Sequence, residues 1–383
     1  MSRIRGVIFE ILAVCFLAVN VFAQDVPPPP LPPIIEDNEE VRIDTQLVDV
    51  PISVTDKEGK PILDLKRENF AVFEDGKKQE IVNFFAADEA FEAALLLDTS
   101  GSTRAELRLI KRAAQLFIDS LREGDRVAII SFNTATAEGS VVGRSTSFPV
   151  AEVVTGLTSE RSVLSAALDK VGTSNGTPYY DSLLKVAGDV FRNPASERFR
   201  GRRALVALTD GVDSTSDAGF EEASEEIAKT GIATYFVHLD TQQDFEDGLL
   251  GDCYSSTQFS KAQLRRYYNL FPKEFKIERV LDFCKLGDFE RLDISKRLYS
   301  LAADQMAGMA KASGGKVFPV ADLREARLAF RNVASEIGTS YSIGYYSTNT
   351  EFDGTYRKIR VEIKGLPAGS ILRAREGYTA PVK

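Results

Sequence analysis

The sequence predicts an α/β fold: a doubly wound, mainly parallel sheet inserted into a small β-sheet or β-sandwich domain built from the N- and C-terminal segments. Three observations predict it. Between residues 90 and 337, apolar runs such as "AALLL" (93–97) alternate with segments of helical period. Residues 41–89 and 338–383 lack that period and alternate apolar with polar residues. Neither flank alone buries much surface, so the two are expected to pair into one domain. With 383 residues, 44% of them hydrophobic, the chain has ample material for a core.

The first 23 residues read as an export leader. "MSRIR" is a basic start, "GVIFEILAVCFLAVNVFA" is largely apolar, and Val21-Phe22-Ala23 leads into a cleavage point before Gln24. An uncleaved membrane anchor is the competing reading, though Glu10 and Asn20 interrupt the run. Export places the mature chain in the periplasm, in the cell envelope or outside the cell. Residues 24–40 follow as a proline-rich, acidic spacer that favours extended polyproline II structure.

Within 41–89, "TQLVDVPISVTD" reads as a strand, "DKEGK" as a turn, and "NFAVFEDGKKQEIVNFF" as two short strands around Asp75-Gly76. The middle of the chain then alternates. After "AALLL", Leu107, Ile110, Ala114, Phe117 and Leu121 lie on one face of a helix. "RVAIISF", "RRALVALTD", "IATYFVHL" and "KVFPV" are the further strands. "SVLSAALDKV", "YYDSLLKVAGDVF", "GFEEASEEIAKTG", "YSLAADQMAGMAKASGG" and "DLREARLAFRNVASEI" are the further helices. Residues 241–296 break this rhythm. Connections so long are functional or form a subdomain, so this insert is read either as a lid or partner contact or as a surface elaboration. "SYSIGYYSTNTEFDGTYRKIRVEIKG" and "SILRAREGYT" return to strand texture.

Composition excludes several chemistries. A formal charge of −9 leaves no basic surplus for nucleic acid. The single histidine, His238, rules out a multi-histidine zinc site and most readily serves as an ordinary strand residue. Cys15 leaves with the leader. Cys253 and Cys284 then remain in an oxidising compartment, as a bridge closing about thirty residues, worth ~3–4 kcal/mol, or as two free thiols.

Ligand sites of doubly wound sheets lie beyond the carboxyl ends of the strands. Three polar loops fall there: Asp98, Ser100 and Ser102; Gly176-Thr177; and Thr209, Asp210 and Gly211. Together they offer carboxylate and hydroxyl oxygens, which suit a hard divalent cation. The competing chemistries fit less well. "DTSGS" lacks the leading glycine of a nucleophile elbow, and no Gly-Lys-Ser/Thr loop is present. An aspartyl phosphatase would carry a second acid where Ser100 stands. Helix capping by Ser102 or Thr103 is compatible with metal binding.

In this order, "DTSGS", "GTPYYD" and "LTDG" resemble the metal-ion-dependent adhesion site of von Willebrand factor type A (VWA) domains, a resemblance covering residues 90–337. The flanking pieces resemble those of exported bacterial proteins called VWFA-related. The resemblance implies a Mg2+ ion, with Mn2+ or Ca2+ as the other choices, on Asp98, Ser100, Ser102, Thr177 and Asp210. It also implies a protein partner that supplies a carboxylate. Asp181 and Asp213 are neighbouring acids with structural roles expected. The chain departs from the compact family pattern in the insert at 241–296. The expectation is a binding protein and not an enzyme, with a metal-dependent phosphate or ester hydrolase and an envelope scaffold with a structural metal as alternatives. Contact with a membrane is expected only through export or an uncleaved anchor.

Overall fold

Strand β5 (Glu92–Leu97) is the centre of the molecule and is buried at all six positions. Ala93, Leu95 and Leu97 enter one core while Ala94 and Leu96 enter another, as the two-residue side-chain period of a strand requires. The computed structural model describes residues 47–100, 106–138, 145–272 and 278–382. The expected leader, the proline-rich spacer and Ser102 lie outside the described residues.

Around β5 run β6 (Arg126–Glu138), β7 (Ser145–Thr158), β8 (Arg203–Thr209), β9 (Ala233–Leu239) and β10 (Lys316–Val320), in the spatial order β10-β9-β8-β5-β6-β7. All neighbours are parallel except β6 and β7. One face of the sheet packs on α1 (Leu107–Asp119), α2 (Arg161–Lys170) and α8 (Leu323–Gly338). The other packs on α3 (Tyr179–Lys185), α4 (Phe220–Thr230) and α7 (Asp288–Ser313). The mainly parallel, doubly wound sheet is thus as the alternating pattern predicts.

The antiparallel β7 was not expected. Its sequence, "STSFPVAEVVTGLT", carries Pro149 and Gly156, residue types that are depleted in strands. The strand lies at the sheet edge, where a proline need not donate to a further neighbour, and Pro149 faces Thr134 of β6.

The flanking segments build two antiparallel sheets. The first has the order β13-β1-β11-β4, from β1 (Leu47–Thr55), β4 (Ile81–Phe85), β11 (Tyr341–Tyr346) and β13 (Ile371–Ala374). The second has the order β14-β12-β2-β3, from β2 (Phe70–Glu74), β3 (Lys77–Gln79), β12 (Tyr356–Ile363) and β14 (Gly377–Thr379). Both sheets contribute to one apolar layer that includes Val50, Ile52, Phe70, Val72, Ile343 and Ile359, which makes them a sandwich. Asp75 and Gly76, with φ of 46° and 83°, form the tight turn between β2 and β3. Three strands, not two, come from this stretch: after Glu80 the chain crosses to the other sheet as β4.

Both crossings between the sandwich and the α/β body converge on Arg202, which is buried. Its guanidinium donates to the carbonyls of Ala86, Glu89 and Ala90 on the way in and of Ser340 on the way out, at 2.6–3.2 Å. Burial pushes this arginine down to about 10, which leaves it charged at physiological pH.

Between β9 and β10 the chain forms α5 (Gln242–Leu249), α6 (Lys261–Asn269) and the first turns of α7, which begins at Asp288 rather than near Tyr299. Leu249, Phe259, Leu264, Phe283, Ile294 and Leu298 give this region its own apolar cluster. Cys253 and Cys284 are bonded, with Cα atoms 5.2 Å apart.

Two outcomes follow. Arg202→Met leaves four inward-facing carbonyls without their donor and should lower the unfolding free energy by about 3–5 kcal/mol; a loss under about 1 kcal/mol in urea titration would contradict the stapling role. Replacing Cys253 and Cys284 together by serine removes about 3–4 kcal/mol of loop-closure stabilisation. Amide exchange in α5 and α6 should then accelerate while β5 stays slow.

Candidate metal site

Parallel pairing fixes the first two acids. Leu97 lies opposite Leu208, so Asp98 and Asp210 emerge from the carboxyl ends of adjacent central strands. Asp98 still belongs to the ladder, its N–H donating to the Leu208 carbonyl at 2.9 Å. Its Oδ2 accepts from Thr209 Oγ1 at 2.7 Å and its Oδ1 from the Ser100 N–H at 3.1 Å. Asp210 Oδ1 accepts from the Val212 N–H at 2.9 Å, and Oδ2 from Thr241 Oγ1 at 2.6 Å. After Asp210 the chain turns at Gly211, φ 74°, where a Cβ would stand 2.9 Å from the Met306 methyl.

The second loop is tied to both others. Ser174 N–H donates to the Thr99 carbonyl at 2.8 Å. Thr177 N–H donates to Ser214 Oγ at 2.8 Å, and its carbonyl accepts from the Ser214 N–H at 3.0 Å. Gly176 precedes this crossing; a Cβ there would fall 2.6 Å from a Thr215 methyl and 2.9 Å from Pro149. Asp98, Ser100, Thr177 and Asp210 are thereby gathered at one end of the sheet, each with at most 9% of its surface exposed. Ser102 lies outside the described residues.

Burial, and then the charge of Asp210, pushes Asp98 up to about 7. Burial likewise raises Asp210, against the hydrogen bonds from Thr241 and Val212. Two buried carboxylates beside one another are the arrangement that a cation stabilises. The hydroxyl of Tyr179 is also buried and without a hydrogen-bond partner among the described residues, and it lies within electrostatic reach of Asp98, Asp213 and Asp210. The donor set is all oxygen, which fits Mg2+, Mn2+ or Ca2+ and not a soft metal. Among the described residues no three His, Cys, Asp or Glu side chains gather for a metal, so any shell built on these two carboxylates would need further oxygen ligands, for which the Ser100 and Thr177 hydroxyls are nearby candidates.

The neighbouring acids have structural work. Asp181 accepts from the N–H groups of Asp217 and Ala218 and so orders the approach to α4. Asp213 is ion-paired with Arg266 of α6 at 2.6 Å and accepts from the Tyr180 N–H. His238 is half-buried on β9 and lines a separate cavity of about 550 Å3 with Asp240, Lys296 and Tyr299; burial lowers its pKa.

Sequence reasoning missed Thr241, Tyr179 and Arg266. Thr241 follows a strand as Asp98 and Asp210 do, but no string marks it. Tyr179 stands within "GTPYYD" and reads as helix core. Arg266 reaches the site only because the insert folds back over it.

Residues 93–262 match the family model described as "von Willebrand factor type A domain". A von Willebrand factor type A structure from Catenulispora acidiphila is similar at 13% identity and a TM-score of 0.40, covering 88% of this chain and 74% of that one. Proximal thread matrix protein 1 from the mussel byssus is similar at 10% identity and a TM-score of 0.37, over 64% and 48% of the two chains. The SpRpn10 VWA domain is similar at 13% identity and a TM-score of 0.29, over 41% and 81%. No curated protein matches the chain. The family match spans β5 with Asp98, the loop of Thr177 and the turn of Asp210, and on it the chain carries a von Willebrand factor type A domain.

Proposed function

We propose that the protein is an exported binding protein that holds a divalent cation on Asp98, Ser100, Ser102, Thr177 and Asp210 and captures a carboxylate of a protein partner there. A VWA domain is an interaction or adhesion module, which supports binding in place of turnover. The observation that carries the reading is the pairing of Asp98 and Asp210 at adjacent strand ends, both buried and each already oriented by two hydrogen bonds. Fixed donors place the carboxylates before any ligand arrives.

Mg2+ is the first choice because it uses few carboxylates and keeps other oxygen ligands. Two carboxylates balance a divalent charge and neutral hydroxyls leave that balance unchanged, so a partner's acidic group would be held by taking an open coordination position. The bound cation supplies a positive centre for an acidic group of the partner. Export rests on the basic and apolar residues 1–23. Among the described residues no helix is long and apolar enough to cross a membrane.

The pH response has a definite sign. Because the native pKa of Asp98 is raised, from 3.8 to about 7, the folded cation-free protein binds more protons than the unfolded chain between those values. Its stability therefore falls as pH rises from about 4 to about 7 and levels off above. Asp98→Asn removes that portion of the slope and should raise the cation-free melting temperature at pH 8. At about 100 times Kd, Mg2+ should stabilise the wild type by about 2.7 kcal/mol and the variant by nothing. An equal Mg2+ response in both proteins would remove Asp98 from the site.

Partner capture is the functional test. Immobilised mature protein should retain a protein from envelope extract in Mg2+, release it into EDTA, and fail to retain it as Asp98→Asn. Retention indifferent to both changes would sink the reading.

A further inference from the structure

The insert grips the Asp210 turn at three consecutive kinds of contact. Thr241, the first insert residue, donates to Asp210 Oδ2 at 2.6 Å. Val212 is part of the insert's own apolar cluster, with Leu249, Leu298 and Tyr299. Asp213 is held by Arg266, which pairs with its carboxylate at 2.6 Å and donates to its carbonyl at 2.9 Å. A surface elaboration would have no need to engage the residue of the site and its two near neighbours at once.

The Thr241 contact is ordered by proton counting. A threonine hydroxyl has one proton, and an ionised carboxylate only accepts. With Asp210 ionised, as it would be beside a cation, Thr241 spends its proton on Asp210, and the 3.0 Å contact with Tyr299 Oη then runs from the tyrosine to the threonine. The relay runs Tyr299 to Thr241 to Asp210, and all three residues are buried, with Thr241 and Asp210 each 7% exposed. Tyr299 stands on α7, its ring tilted against Phe245 of α5 at 6.0 Å between ring centres. Thr241 also starts α5, its carbonyl accepting from the Phe245 N–H at 3.0 Å. The α5 helix and the Tyr299 turn of α7 thus meet at the Thr241 hydroxyl, which contacts Asp210.

We propose that the insert at 241–296 is the positioning element of the cation site: Thr241 sets the Asp210 carboxylate, and Tyr299 of α7, just beyond it, sets Thr241. The proposal rests on the reading of Asp210 as a cation ligand. Neither residue touches the cation; both act through the carboxylate. The lone pair of Oδ2 that Thr241 does not use is left aimed by that hydrogen bond, so affinity depends on a residue outside the five assigned to the shell. Cation binding and the order of the insert are then coupled in both directions.

The test is calorimetric titration of the full mature chain with Mg2+ and with Mn2+. Thr241→Val keeps the side-chain shape and should weaken cation affinity by about 10- to 100-fold, the usual effect of losing an outer-shell partner. Tyr299→Phe should weaken it less, by about 3- to 10-fold, on the same grounds. Thr241→Ser restores the donor and should return affinity to within about threefold of wild type, which a purely steric role for the threonine would not produce. Amide exchange in α5 should slow on adding Mg2+ to the wild type and be insensitive to Mg2+ in Thr241→Val. Wild-type affinity in both Thr241→Val and Tyr299→Phe overturns the proposal and leaves the cation site standing. A wild type that binds neither cation overturns the site and the proposal together.

Discussion

Glu92 sets the register on which the site depends. It opens β5 and lies directly opposite Arg126 of β6 and Arg203 of β8. It is ion-paired to both at 2.8 Å while itself almost wholly buried. Apolar parallel strands slide past one another at small cost, since one aliphatic neighbour replaces another. A buried carboxylate with two in-register arginines does not allow this, because a slip would leave charge unpaired in the core at a cost of about 3–5 kcal/mol. Six residues later the same register sets Asp98 beside Thr209 and one residue short of Asp210. An ion triple at one end of three strands thus decides which oxygens meet at the other.

The far end of β5 bears the opposite electrostatic problem. Asp98 and Asp210 are buried near each other, and the charge of Asp210 adds to the burial that raises Asp98. Hydrogen-bond donors address the desolvation, among them Ser100 N–H, Thr209 hydroxyl, Val212 N–H and Thr241 hydroxyl. At about 1.5–3 kcal/mol for a hydrogen bond to a charged group, two donors per carboxylate approach the several kcal/mol that burying each ion costs. Mutual repulsion is left over, and hydrogen bonds do not remove it. Asp213 differs, since Arg266 neutralises its charge.

Legibility in the sequence follows the range of the forces involved. The strands β5, β6, β8, β9 and β10 and the helices packed on them announce themselves by local periodicity. The Asp75-Gly76 turn does so by the conformations its residues accept. Asp98, Thr177 and Asp210 were legible because each closes a buried run or opens a helix, and their order along the chain resembles a known pattern. β7 was not, because Pro149 and Gly156 mask an edge strand. Glu92 reads as the polar end of an apolar run, and only pairing with two distant arginines reveals its task. Thr241 and Tyr299 are 58 residues apart and acquire a role only when the insert closes on the third loop.

The sandwich is mounted at the opposite end of the sheet from the site. Arg202 precedes β8, and the carbonyls it holds precede β5 or follow α8. Arg375 of the sandwich donates to the Ala228 carbonyl near the end of α4, just ahead of β9, and the Glu376 N–H donates to the Ala312 carbonyl, just ahead of β10. Every one of these attachments falls at the amino ends of the parallel strands, while Asp98 and Asp210 stand at the carboxyl ends. Six extended residues of β5 separate the two regions by about 20 Å. On the proposed function, a partner at the carboxylates would meet the three loops and the insert and not the sandwich. Arg202 of the α/β body and Arg375 of the sandwich, both buried, fasten the two through backbone carbonyls at the end of the sheet away from Asp98 and Asp210.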